Sequence, residues 1–103
     1  MIDMNGTDLL KCICEETRFS ILEFLQKNGE MSVNELTSKL KKDQPLISHH
    51  LKALKQCNIV KTRENGKMTM YSMASKDIAN LINVITKTGE KMVVCCNDTA
   101  CKC

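Results

Sequence analysis

Between Asp43 and Ser72 the hydrophobic period of the chain changes, and that change admits few architectures. Ile47, Leu51 and Leu54 recur at i, i+4 and i+7, one face of an α-helix. Ile59 to Glu64 and Met68 to Met73 then read as alternating strands around Asn65-Gly66, a strong two-residue hairpin signal. A helix running directly into a β-hairpin leaves the hairpin projecting beside the helix.

The flanking segments supply more helices. Asp3 to Cys14 is expected to be helical, with Ile2, Leu9, Leu10 and Ile13 on its apolar side, although Gly6 weakens its start. Thr17 to Lys27 carries Phe19, Leu22 and Leu25, with Ile21 and Phe24 beside them, and Asn28-Gly29 ends it as a C-cap would. Ser32 and Glu35 form a capping box for a short helix with Val33, Leu36 and Leu40 on its stripe. Lys41-Lys42 turns the chain, Asp43 can cap the next helix, and Pro45 falls in the first turn, where a missing N–H costs nothing. Asn58 stops that helix, and Ser75 to Met92 forms a last one with Ile78, Leu81, Ile82 and Ile85 inward. The fold class is therefore mainly α with a β-hairpin, in the order α-α-α-α-β-β-α, a winged helix-turn-helix. Residues 1–92 make one domain and residues 93–103 a Cys-rich tail.

At 103 residues the chain is small for burying a core alone but suited to a dimer that shares one. With two Phe, one Tyr and no Trp, that core must be aliphatic, and seven Met serve as adaptable filler. No apolar run approaches the roughly 18 to 20 residues a bilayer span needs. Met1 to Cys14 has Asp3, Asp8 and a single Lys, the wrong pattern for a signal peptide. A cytosolic protein without a membrane partner is expected.

Net charge is only +3, but it is unevenly spread. Residues 1–38 carry −4, residues 39–67 carry +6 and the remainder carries +1. Basic charge concentrated in one third of a chain is either a solvated lysine face or a phosphate-facing surface, and the motif beneath it favours the second. At 100° per residue, Gln44, Ser48, Lys52 and Lys55 fall opposite Ile47, Leu51 and Leu54, with His49 at the margin. That face is polar and free of acids, which suits entry into a DNA groove. Amide, hydroxyl and imidazole groups read bases, so Gln44, Ser48 and His49 are candidates for base edges. Lys52, Lys55, Lys61, Arg63 and Lys67 are candidates for phosphates. His50 borders the apolar face and reads as a packed, hydrogen-bonded histidine; Tyr71 reads as a packing residue. No Gly-rich phosphate loop, nucleophile elbow or recognisable carboxylate pair is present, so an enzyme is not expected.

Three blocks carry a resemblance to a known family. They are T-R-F-S-I-L-E-F-L at 17–25, L-I-S-H-H-L-K-A-L at 46–54 and N-I-V-K-T-R-E-N-G-K-M-T-M-Y-S at 58–72. Together they resemble the ArsR/SmtB metal-responsive repressors over most of residues 16–73. The resemblance implies a homodimer formed through the first and last helices, bound to double-stranded operator DNA and released when a metal or metalloid binds. Two family sensor sites are missing. Where arsenic-sensing members carry E-L-C-V-C-D-L, this chain reads E-M-S-V-N-E-L, with Ser32 and Asn34 in the cysteine positions. Zinc sensors place Asp and His along the last helix, and here Asp77 and Glu90 stand without a histidine.

Sensing must then rest on other thiols. Of seven cysteines, six lie near the ends: Cys12, Cys14, Cys95, Cys96, Cys101 and Cys103. An odd number in a reducing compartment argues against a disulfide framework. Thiolates select soft ions, so the C-C-x4-C-x-C tail can take arsenic(III), cadmium, zinc or copper(I) as inducer, with arsenic(III) first. Cys95, Cys96 and one of Cys101 or Cys103 are the primary ligand candidates, and Cys12 and Cys14 the secondary ones. Cys57, alone after the fourth helix, reads as a small buried apolar residue. Two other readings stay open: a repressor of the same fold whose thiols sense oxidation, and a protein-binding winged helix with a zinc-stabilised tail.

Overall fold

The computed structural model describes residues 5–91. Five helices and three strands follow in the order α1 (Gly6–Ile13), α2 (Glu16–Asn28), β1 (Glu30–Ser32), α3 (Val33–Leu40), α4 (Gln44–Gln56), β2 (Val60–Asn65), β3 (Met68–Met73) and α5 (Lys76–Lys91). The tail over 93–103, with its four candidate ligands, lies outside the described residues, as does Ile2.

Most of the local signals act as their chemistry dictates. Ser32 accepts from the Glu35 N–H at 3.2 Å while Glu35 accepts from the Ser32 N–H at 3.0 Å, which closes the capping box of α3. Gly29 ends α2 at φ +86°, a conformation that would strain a side chain. Lys41 (φ 56°) and Asn58 (φ 61°) turn the chain at the ends of α3 and α4. Helix α1 starts later than Asp3: Asn5 caps it, accepting from the Asp8 N–H at 2.8 Å, so Gly6 opens the helix rather than weakening its interior.

Two differences concern the sheet. The wing is three-stranded, in the order β1-β3-β2, all antiparallel. Strand β1 pairs through Glu30↔Ser72, Met31↔Tyr71 and Ser32↔Met70, and it ties the hairpin back to the start of α3. The hairpin turn also lies one residue further on. Asn65 pairs with Met68, leaving Gly66-Lys67 as the two central residues, with Gly66 at φ +65°. Glycine at the first central position suits a type II′ turn, whereas Asn-Gly at both centres would suit type I′.

The core is aliphatic. Ile21, Leu22, Leu25, Leu36, Ile47, Leu51, Leu54, Ile59 and Ile82 are essentially fully buried, drawn from α2, α3, α4, α5 and the entry to β2. Phe19, Phe24, Tyr71 and Ile85 pack around them, and so do Cys12 and Cys57. Each such aliphatic side chain contributes about 1.5–3 kcal/mol on burial. Leu10, expected on the inner side of α1, is instead 58% exposed, and Val84 on α5 is 57% exposed. No helix among the described residues is long and apolar enough to cross a membrane.

Candidate nucleic-acid interface

Helix α4 is anchored from one side only. Ile47, Leu51 and Leu54 have no exposed surface, and they are the side chains that fix the helix against the core. The i, i+4 geometry then leaves Gln44, Ser48, His49, Lys52 and Lys55 outward, and all five are exposed. The helix holds no acidic residue between Gln44 and Gln56. Pro45 sits in the first turn, and Asp43 caps through its backbone without a side-chain bond. The face is a row of donors and acceptors with two ammonium groups at its far end, a surface that can lie in a major groove.

The wing stands beside it. Lys61 is exposed on β2, and Lys67 is exposed in the turn. Arg63 has a partner that the sequence does not announce. Its Nη2 and Nε donate to the two carboxylate oxygens of Glu30 at 2.7 and 3.0 Å, a bidentate pair across β3. That hydrogen bonding holds the Glu30 carboxyl below its ordinary range and pushes the Arg63 guanidinium above its own. The structure thus commits Arg63 to bracing β1 against β2, where a phosphate contact is expected from the sequence. Glu30 is the residue missed, and nothing in its local sequence marks it.

His50 is buried at the margin of α4, as its position between the two faces dictates. Arg18 of α2 donates from Nε to His50 Nδ1 at 3.1 Å. Its Nη1 donates to the backbone carbonyl of Cys12 at 3.3 Å. The far ring nitrogen, Nε2, lies 3.6 Å from Glu15 Oε2, an electrostatic contact longer than a hydrogen bond. Glu15 itself accepts from the Arg18 N–H at 2.9 Å as the cap of α2. Burial lowers the His50 pKa; Glu15 opposes the shift, while Arg18 and His49 add to it. Burial alone would raise the Glu15 pKa, but the Arg18 and Thr17 N–H groups and the charges of His50 and Arg18 lower it overall. One guanidinium therefore joins α1, α2 and α4.

The thiols are placed differently from their reading in the sequence. Cys12 of α1 is disulfide-bonded to Cys57, the C-cap of α4, across 45 residues of sequence. Cys57 is not a solitary packing residue, and Cys12 is not a terminal thiol outside the core. The physical reason is that α1 packs against both α2 and α4, which carries Cys12 to the end of α4. Cys14, the C-cap of α1, is exposed and borders an open apolar cleft of about 390 Å³ with Leu10, Ile13, Phe19 and Ile85. Among the described residues, no group of three or more His, Cys, Asp or Glu is placed to hold a metal ion. Cys95, Cys96, Cys101 and Cys103 lie outside those residues.

A polar, acid-free helix presented beside a basic three-stranded wing defines a winged helix-turn-helix DNA-binding protein. Residues 15–62 match the model of the bacterial regulatory protein, arsR family. An uncharacterised HTH-type transcriptional regulator of Methanocaldococcus jannaschii is 37% identical over 80 residues, 78% of this chain and 90% of that protein. The arsenical resistance operon repressor of Staphylococcus xylosus is 31% identical over 97 residues, 92% of each chain. The structure of HlyU from Vibrio cholerae superposes with a TM-score of 0.74 at 31% identity, covering 82% of this chain and 97% of that one. A homodimeric winged helix-turn-helix domain from Mycobacterium bovis shares the fold at a TM-score of 0.73 and 22% identity, over 91% and 94% of the two chains. The chain belongs to the ArsR family; it is a DNA-binding transcriptional regulator and not an enzyme.

Proposed function

We propose that the protein is a homodimeric repressor that binds double-stranded operator DNA in the cytoplasm and leaves it when its thiols bind a soft metalloid, arsenic(III) first. The exposed, acid-free face of α4 supports the DNA half of this reading. Gln44, Ser48 and His49 meet base edges, and Lys52, Lys55, Lys61 and Lys67 meet phosphates; Arg63 does so only by leaving Glu30. The dimer forms through α1 and α5, where Leu10 stands exposed at the cleft it lines with Phe19 and Ile85, and Val84 stands exposed on α5. Such a face is what a second copy covers, and the Mycobacterium bovis domain of the same fold is homodimeric.

The thiophilic inducer rests on the donor set. Four tail cysteines offer three or four soft ligands for arsenic(III), with cadmium, zinc and copper(I) as competitors. Cys14 can join them from the end of α1, and Cys12 can do so only when its bond to Cys57 is reduced. The arsenical repressor of Staphylococcus xylosus supports an arsenical inducer. An ion held at the dimer-forming ends shifts the two subunits, and with them the roughly 34–36 Å spacing of the α4 helices that half-sites require.

Fluorescence anisotropy of the fully reduced protein on a fragment of its own promoter, with and without arsenite, tests the reading. Binding that weakens at least tenfold supports it, equivalent to about 1.4 kcal/mol of coupling. Tight binding unmoved by arsenite keeps the repressor and moves the inducer to the other soft ions or to oxidants. Failure to bind at low salt removes the DNA reading and favours a protein-binding winged helix.

A further inference from the structure

We propose that Cys12 and Cys57 form a reversible disulfide switch, made by a hydroperoxide and undone by a dithiol, that fixes the recognition helix α4 to α1. The inference rests on the regulator reading for its output but on separate residues for its chemistry. None of the tail thiols takes part.

Three observations converge on this pair. The two sulfurs are bonded, although their residues stand 45 apart in sequence. Both side chains are half-buried against the core, shielded from bulk solvent yet within reach of a small oxidant. Arg18 holds the Cys12 end of α1 in place, its Nη1 donating to the Cys12 carbonyl oxygen at 3.3 Å while its Nε donates to His50 of α4. The oxidation balances without a metal. One thiolate takes an oxygen atom from the hydroperoxide, giving a sulfenic acid and an alcohol or water. The second thiol attacks that sulfur, the S–S bond forms and a water molecule leaves. A dithiol reverses the bond by exchange, releasing both cysteines as thiols.

The consequence follows from where the bond sits. In the reduced state α1 is held to α4 by non-covalent packing and by the hydrogen bonds that Arg18 makes to the Cys12 carbonyl and to His50, and these can adjust. Oxidation adds a covalent tie at the C-terminal end of α4, beyond His50. The helix that must settle into a groove is then held rigidly to the helix that forms the dimer face. Locking the free-state separation of the two α4 helices disfavours the operator register, so the oxidised form releases DNA.

The experiment uses the full chain, reduced with dithiothreitol or oxidised with hydrogen peroxide. Each sample is mapped by non-reducing peptide mass spectrometry, melted, and titrated onto the promoter fragment. Oxidised wild type should yield the Cys12–Cys57 cross-linked peptide, melt several degrees higher because a long loop is closed, and bind at least fivefold more weakly, with dithiothreitol restoring it. Cys57→Ser and, independently, Cys12→Ser should bind like the reduced wild type and ignore peroxide. The switch is overturned if the peptide is absent, if it forms with affinity unchanged, or if either variant responds as the wild type does. Reduced wild type that binds no DNA is a different failure, since it removes the regulator reading and takes the output of the switch with it.

Discussion

Arg18 Nε donates to Nδ1 of His50 at 3.1 Å, which fixes the histidine as its neutral Nε2–H tautomer. The ring then directs its remaining N–H toward Glu15, at the cap of α2. A protonated His50 can no longer accept from Arg18, and two cations would face each other at the junction of α2 and α4. The position of the recognition helix is thus coupled to the charge on one ring.

That coupling fixes the sign of a pH effect. Burial and the Arg18 charge lower the folded His50 pKa below its ordinary 6.5. The unfolded chain therefore takes up the proton first, and stability falls as pH drops through and below that value, while above it the contribution is complete. Urea unfolding at pH 7.5 and 5.5 should show wild type losing more stability than His50→Gln between the two. An equal loss in both proteins would remove His50 as the source. Arg18→Ala, which strands Nδ1, should cost about 1–3 kcal/mol at neutral pH.

Leu51 has no exposed surface, while its neighbour on the same helix, Leu46, is 39% exposed. Leu51→Ala should lower unfolding free energy by about 2–5 kcal/mol through lost burial and the cavity left behind. Leu46→Ala should cost much less. Guanidinium melts of the two variants separate these outcomes, and comparable losses would show that Leu46 is covered by a partner.

The recognition helix is legible in the sequence because large aliphatics at a strict 3.6 period leave one orientation open. The capping box is legible because Ser32 and Glu35 satisfy each other locally. Strand β1 is not: three residues carry too little alternation, and Ser32 serves both as a strand end and as the cap of α3. The turn at Gly66-Lys67 differs by one residue from its sequence reading because register is set by pairing along all of β3, not by the dipeptide alone. Arg63–Glu30 and Cys12–Cys57 depend on residues 33 and 45 apart meeting in space, and no local pattern encodes that. The exposure of Gln44, Ser48, His49, Lys52 and Lys55 follows from periodicity; what they touch does not.

Those residues should separate by readout. Gln44→Ala should cost about 1–3 kcal/mol on the operator and little on random DNA, if its amide meets a base edge. Lys52→Ala and Lys67→Ala should weaken both alike and reduce the slope of log affinity against log salt by about one. Anisotropy titrations on two DNA sequences across a salt series make the distinction. A salt slope unchanged in Lys67→Ala would remove the wing tip from the interface.

Arg63 gives the sharpest test of the wing because its guanidinium is held by a carboxylate of the same protein. Glu30→Gln removes a negative charge from the wing and weakens the bidentate hold, since an amide offers one acceptor where the carboxylate offers two. The Glu30 carboxyl is held below its ordinary range by Arg63, so in wild type the pair persists through mildly acidic pH and opens only well below it. Both groups are exposed, so the variant should melt close to wild type. If Arg63 can reach phosphate once freed, Glu30→Gln should bind all DNA more tightly and steepen the salt dependence by about one ion. If the ion pair instead orients the hairpin, affinity falls while fold and melting temperature hold. The double variant Glu30→Gln/Arg63→Ala then decides: an affinity gain that vanishes with the arginine assigns the gain to a new phosphate contact, and a loss that the arginine no longer affects assigns it to the position of the wing.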